Sequence, residues 1–443
     1  MSGVSHLILF SVPAISAYVI LFMLTYDNYL VELYGYFGFR RLGGEWGDFF
    51  VPFMSILLSL LALPKRISKV SDFLCWQLFV FAFVPIQLTL AFSGTVSGGS
   101  TKWAGMLFLS FLIIIGLSNV GLRLTIKAGV LSKYSSALVI LIGLAMAVLL
   151  TARFASVMSF ASFNEIYEQR AASSEVGAGR MFGYFVTWLT YSVTPLATAI
   201  ALFSGRYLLL IFPASFISVI YSISAAKLSL VLLFMSIFVF WALSPRRREH
   251  PWIFVVFPGS ILAIGLVLYT YAQLSEEGLL FYVVSQLVMR AIAVQAMIFN
   301  AYAEFFTENP FTLYSHIGIV SLFVDYPYEY SLGEIISIHL VGNPDAVANS
   351  GFWAMDGIAA SGSFGLLAIG FIVGLTFAFF NSMTRGVDIR FSAVAFTGLS
   401  MMMINVSLFT TMLTGGGIIT ALAVRPVWFA VTKWLNTRQK TDL

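Results

Sequence analysis

The chain has 443 residues, of which 59% are hydrophobic and 10% charged, with a formal net charge of +4. Soluble domains carry roughly 25% charged residues, so that class is excluded; with a mean hydropathy of +0.93, the chain reads as one polytopic membrane domain, 1–443. The small positive surplus reads as an orientation signal, and no nucleic-acid partner is expected.

A membrane-spanning helix needs about 20 apolar residues. Runs near 6–24, 48–63, 73–92, 104–121, 135–152, 183–203, 207–223, 228–244, 252–273, 363–381, 391–412 and 417–432 approach or meet that length. They predict an all-α fold with about twelve transmembrane helices. The first run lacks a basic leader and a small-residue cleavage site, so it is expected to be retained. Cys75 lies inside a run, which leaves no disulfide within the chain.

Charges choose the sides. Alternate connections carry Lys65, Arg66 and Lys69; Arg123, Lys127 and Lys133; Arg206; Arg246, Arg247 and Arg248; Arg385 and Arg390; and Lys433, Arg438 and Lys440. By the positive-inside rule these connections and both termini face the cytoplasm. The outer segments are then 25–47, a first large loop at 153–182 and a second at 274–362. The middle of 153–182 is expected to form a short amphipathic helix on the membrane surface. Residues 282–300, which contain Arg290, are expected to form a helix lying along or dipping into that surface.

The outer loops hold the reactive groups. Arg170, Arg180 and Arg290 can each grip a phosphate through a two-pronged guanidinium edge. Glu334 and Asp345 are candidate general bases for a hydroxyl, with Asp356 a weaker third and His316 weaker again. Glycan contacts are expected from Tyr314, Tyr328 and Trp353, on whose rings sugars stack, and from His339 and Asn349. No compact Asp, His or Cys cluster suggests a metal, and no cofactor is expected; Gly415–Gly417 reads as a tight turn. Arg425 falls in the middle of the last run, where a charge costs about 2.5–3.5 kcal/mol. It marks either a polar cavity or a break at Arg425-Pro426.

Several local stretches carry a family resemblance: NYLVELYGYFG in the first outer segment, WAG at 103–105, YEQRAASSEVGAG, MRAIAV, GEIIS at 333–337, GNPDAVANSGFWA at 342–354 and FTTMLTGGG. In this order, among a dozen runs, they resemble the O-antigen polymerase family, Wzy, in particular its Pseudomonas B-band type. The resemblance implies a GT-C-like glycosyltransferase in the bacterial inner membrane, working at the periplasmic face on undecaprenyl-diphosphate-linked oligosaccharides. It implies that Arg170 and Arg290 are the loop arginines the family needs, and that a chain-length regulator of the Wzz type is a partner alongside membrane lipids. Met181 and Ala301 stand where the family spacing has glycine, and Met289-Arg290 replaces a doubled arginine. Ala348-Asn349 stands where related ligases carry His-Asn, which favours a polymerase. A ligase, or a flippase or other transporter, is the alternative.

Overall fold

The computed structural model describes residues 10–41, 46–93, 100–124, 130–160, 169, 172–173, 175–176, 180–225, 227–271, 287–318, 320–343, 347–348 and 353–441. Among them regular structure is helical throughout, as a bilayer requires where backbone polar groups must bond within their own segment. The helices are α1 (Val12–Phe37), α2 (Trp46–Ala62), α3 (Val70–Ser93), α4 (Ser100–Leu117), α5 (Ser135–Phe154), α6 (Met181–Phe203), α7 (Ile211–Ser224), α8 (Lys227–Ala242) and α9 (Ile253–Tyr271). They continue as α10 (Val294–Glu308), α11 (Leu332–Val341), α12 (Trp353–Met383), α13 (Ile389–Asn405), α14 (Leu408–Met412) and α15 (Gly417–Thr441). Nine helices among the described residues are long and apolar enough to cross a membrane. The protein is therefore a multi-pass membrane protein. Three further predicted runs fall on the shorter apolar helices Asp48–Ala62, Ser229–Ala242 and Ile389–Asn405.

The basic connections gather at one end. Ile67 N–H donates to Arg248 O at 3.0 Å, Lys69 Nζ bonds Asn119 Oδ1, and Ser382 Oγ accepts from Leu124 N–H at 2.9 Å. The other connections meet at the opposite end. There Tyr26 donates to Arg40 O at 2.9 Å, Tyr269 to Glu32 Oε2 at 2.7 Å, and Asn300 to Ser93 Oγ at 3.0 Å. The alternation read from the charges is thus an alternation of helix ends.

The core is built around α3, which is buried along its whole span. Beside it, α4 and α12 pack closely because Gly370 and Gly374 stand one turn apart on α12. A Cβ on either would strike Ser110 or Leu117, and the approach lets Ser110 Oγ donate to Leu366 O at 2.7 Å. Small residues at this spacing are a common solution for helices in lipid, where dispersion contact replaces the hydrophobic drive. A smaller apolar cluster joins α5, α6 and α7 through Leu150, Leu189, Phe216 and Ile220.

Among the described residues, four helical stretches contain a complete five-residue π turn: Tyr26–Leu30, Phe79–Phe83, Leu189–Val193 and Met289–Ala293. Two have a cause in sequence. Pro85 and Pro195 lack an N–H and their rings crowd the carbonyl four residues earlier, on Phe81 and Tyr191, so the preceding turn widens.

Three expectations need correction. The stretch around Arg290 is not a surface helix. Its π turn Met289–Ala293 packs against Phe79–Phe83, halfway along α3, and α10 then rises beside the second half of α3. From Val288 to Ala303 every residue whose side chain is described is buried. The run 391–412 is not one helix: Val406 is extended (φ −140°, ψ 170°) and Ser407 caps a new start at Leu408. Nor does Arg425-Pro426 break the last helix, since α15 continues through Pro426.

Candidate functional site

At the end away from the basic connections, α12 is broken. Ser361 (φ −162°, ψ 34°) and Gly362 (φ 61°, ψ −132°) leave the helical region, and Gly362 adopts a conformation that only glycine takes without strain. The short arm Trp353–Ala360 therefore folds against the long arm. The crossing is so tight that a Cβ on Gly357 or Gly365 would overlap the other's carbonyl oxygen. The carbonyls at the end of the short arm need donors. The loop supplies them: Thr312 N–H reaches Ala359 O at 2.8 Å and Leu313 N–H reaches Ala360 O at 3.1 Å.

That loop bends through two consecutive left-handed residues, Leu313 (φ 48°) and Tyr314 (φ 64°). Such backbone costs about 1–3 kcal/mol per residue and persists only where surrounding contacts enforce it. Here they do. Thr312 Oγ1 also donates to Ala359 O at 3.0 Å and lies 2.8 Å from His316 Nδ1. His316 Nε2 in turn faces Asp356 Oδ1 at 3.5 Å. Asp356 Oδ2 accepts the backbone N–H of Leu408 at 3.1 Å. The short arm, the loop and the start of α14 are thereby tied at one carboxylate.

Threonine, histidine and aspartate in a row can resemble a nucleophile relay. Burial excludes it: Thr312 is 1% exposed and its hydroxyl proton is committed to Ala359 O, leaving the oxygen to accept from Nδ1–H. The row is a clamp. Removing either partner leaves the other a buried polar group without its contact, which costs about 1–3 kcal/mol.

Around the clamp lie phenols. Tyr314 packs edge-on to Phe409 at 6.3 Å, and its hydroxyl is buried with no acceptor among the described residues. Burial, reinforced by the charge of Asp356, raises the Tyr314 phenol above its ordinary value. Burial pushes Tyr326 up to about 12. Both stay protonated donors near neutral pH. Tyr302, on α10, is also within reach of the Asp356 charge.

Comparison with family models, curated proteins and solved structures finds no match for this chain. Its chemistry must therefore be read from its own residues.

The predicted site residues divide. Arg170, Asp345 and Asn349 lie outside the described residues. Arg180 begins the helix leading into α6 and Arg290 lies in the buried π turn before α10. The two helices converge on one segment. Thr187 donates to Thr414 O at 2.8 Å and Ser192 to Gly415 O at 2.9 Å. From the other side Gln295 Nε2 donates to Asn405 Oδ1 at 3.0 Å. The segment 405–416 is thus shared by both arginine-bearing helices and by Asp356, through Leu408.

Glu334 has a structural task. It closes a capping box at the start of α11, its Oε2 accepting from Ser331 N–H at 2.8 Å. The Ser331 side chain and N–H together hold its carboxyl below the usual range, so it stays ionised. His339 Nε2 lies 3.7 Å from Glu304 Oε2. Tyr328 donates to Pro310 O and packs on Phe305 and Phe306. Trp353 is 2% exposed, so it offers no ring face to a sugar in this state. In α15, Arg425 stacks over Phe429 at 5.7 Å. Its Nε and Nη1 are buried without an acceptor among the described residues.

Proposed function

We propose that the protein is a membrane glycosyltransferase of the O-antigen polymerase type, GT-C-like and with about twelve spans. It joins undecaprenyl-diphosphate-linked repeat units at the periplasmic face of a bacterial inner membrane. One observation carries the reading: the helices bearing Arg180 and Arg290 converge on segment 405–416, beside a clamped carboxylate and a strained, phenol-rich loop. A lipid diphosphate needs fixed cations, and a glycan needs hydroxyl donors and ring faces at the same place.

In this reading the acceptor hydroxyl oxygen attacks C1 of the donor sugar. The bond from C1 to the diphosphate oxygen breaks, and undecaprenyl diphosphate departs with the electron pair. Arg170, Arg180 and Arg290 neutralise the charge that grows on the leaving group. The hydroxyl proton passes to Glu334 or Asp345. The lowered proton affinity of Glu334 keeps it in the basic form, and Asp356 with His316 holds the floor on which the acceptor rests. Configuration at C1 inverts because the displacement is direct.

The ladder of surface polysaccharide in a deletion strain tests this. A polymerase predicts a single repeat on the lipid core, restored to a full ladder by the wild-type chain. Loss of every repeat from the core would replace this reading with a ligase or a flippase.

A further inference from the structure

The basic end carries a construction that topology alone does not require. Three guanidinium groups lie over aromatic rings of neighbouring helix ends. Arg390 Cζ stands 3.9 Å from the Phe240 ring centre and 5.6 Å from that of Phe203. Its Nε donates to Phe240 O at 3.3 Å. Arg247 Cζ stands 4.1 Å over Trp241, with Nε donating to Trp241 O at 2.8 Å. Arg206 Cζ lies 3.9 Å over Trp434.

Arg247 and Arg390 are held by ring and carbonyl together and Arg206 by a ring, so these head groups are fixed rather than snorkelling. Among the described residues none of the three has a carboxylate within ion-pair distance, and no hydrogen bond takes their Nη atoms. Arg247 is close enough to Arg390 for the like charges to oppose each other, and Tyr207, next to Arg206, also faces Arg390. Asp388, whose charge acts on Arg390, spends Oδ1 on the Arg390 backbone N–H at 2.7 Å. By contrast Arg66, at the same end, is paired with Glu249 at 3.6 Å.

Apolar side chains lead away from the cluster along two packed helices. Leu208 and Ile211 are exposed where α7 begins, and Phe234 and Ile237 are exposed on α8 before Trp241. Planar forks with no ion-paired carboxylate among the described residues, set above such rails, match a headgroup phosphate with acyl chains beneath it. We propose that Arg206, Arg247 and Arg390 form a binding site for the phosphodiester headgroup of an anionic phospholipid.

Native mass spectrometry of the detergent-purified full chain tests the site, with equal amounts of phosphatidylglycerol and phosphatidylcholine as probes. The wild type is expected to retain phosphatidylglycerol over phosphatidylcholine. The variant Arg247→Gln/Arg390→Gln should lower that preference by about tenfold or more, having lost two surface cations, while Arg66→Gln leaves it unchanged. If the double variant does not fold, Arg247→Lys/Arg390→Lys keeps the charge without the fork and should lower the preference by a smaller factor. Unchanged retention in the folded double variant overturns the site. Displacement of the lipid by excess inorganic phosphate overturns the lipid as its occupant.

Discussion

His316 Nε2 stands 3.5 Å from Asp356 Oδ1, with side chains 9% and 4% exposed. The pair joins a loop residue to the short arm of a broken helix, and the Asp356 contact with Leu408 N–H extends the tie to α14. Three segments that would otherwise have to find separate positions are set relative to one another by two side chains.

Breaking the pair one residue at a time should therefore be costly. Asp356→Asn or His316→Gln is expected to lower stability by about 1–3 kcal/mol, the cost of a buried polar group left without its partner, read from unfolding in detergent micelles. The double variant should cost less than the two single losses together. Strict additivity would show that the residues act independently.

The crossing of the two arms of α12 permits no Cβ. Gly357→Ala pushes a methyl into the Gly365 carbonyl oxygen and is expected to cost about 1–3 kcal/mol. Gly116→Ala, on α4 with open space around it, serves as the control and should be neutral or stabilising. Equal thermal midpoints for the two variants would contradict the tight crossing.

The broad architecture was legible because apolar runs and alternating basic connections are both properties of sequence. Which connections gather at the same end followed from them. The clamp was not legible. His316 and Asp356 are 40 positions apart, and nothing at either position distinguishes a buried partner from a solvated loop charge. The break in α12 had a local sign in the Ser361-Gly362 dipeptide, but the apolar run after it drew attention to 363–381 alone. Arg290 was misplaced in depth for a different reason. MRAIAVQAMIF has the same apolar periodicity whether it floats at an interface or enters a bundle, and only its packing beside α3 decides.

Glu334 makes local stability depend on pH. Its carboxyl is held below the ordinary 4.5 by Ser331, so its contribution is present above the unfolded value and is lost as pH falls through the folded one. Amide exchange in α11 should accelerate over that acidic window in the wild type and stay flat in Glu334→Gln. Parallel profiles in the two proteins would remove the capping box as the cause.

Arg425 carries buried donors that find no acceptor among the described residues, each a penalty of about 1–3 kcal/mol. Arg425→Met, which keeps the length and removes the charge, is expected to raise the thermal midpoint of the purified protein. A fall would mean that the guanidinium is satisfied by a lipid or glycan group in the membrane.

The central claim is a transfer between lipid-linked glycans that relies on guanidinium forks. The direct measurement reconstitutes the purified chain in liposomes with an undecaprenyl-diphosphate-linked repeat unit and resolves the products by length. The account predicts a ladder of polymers with stoichiometric release of undecaprenyl diphosphate. It further predicts that Arg290→Lys, which keeps the charge and loses the fork, abolishes most of both. A wild-type chain that leaves the repeat unit unextended, or an Arg290→Lys protein that builds the full ladder at the wild-type rate, would contradict it.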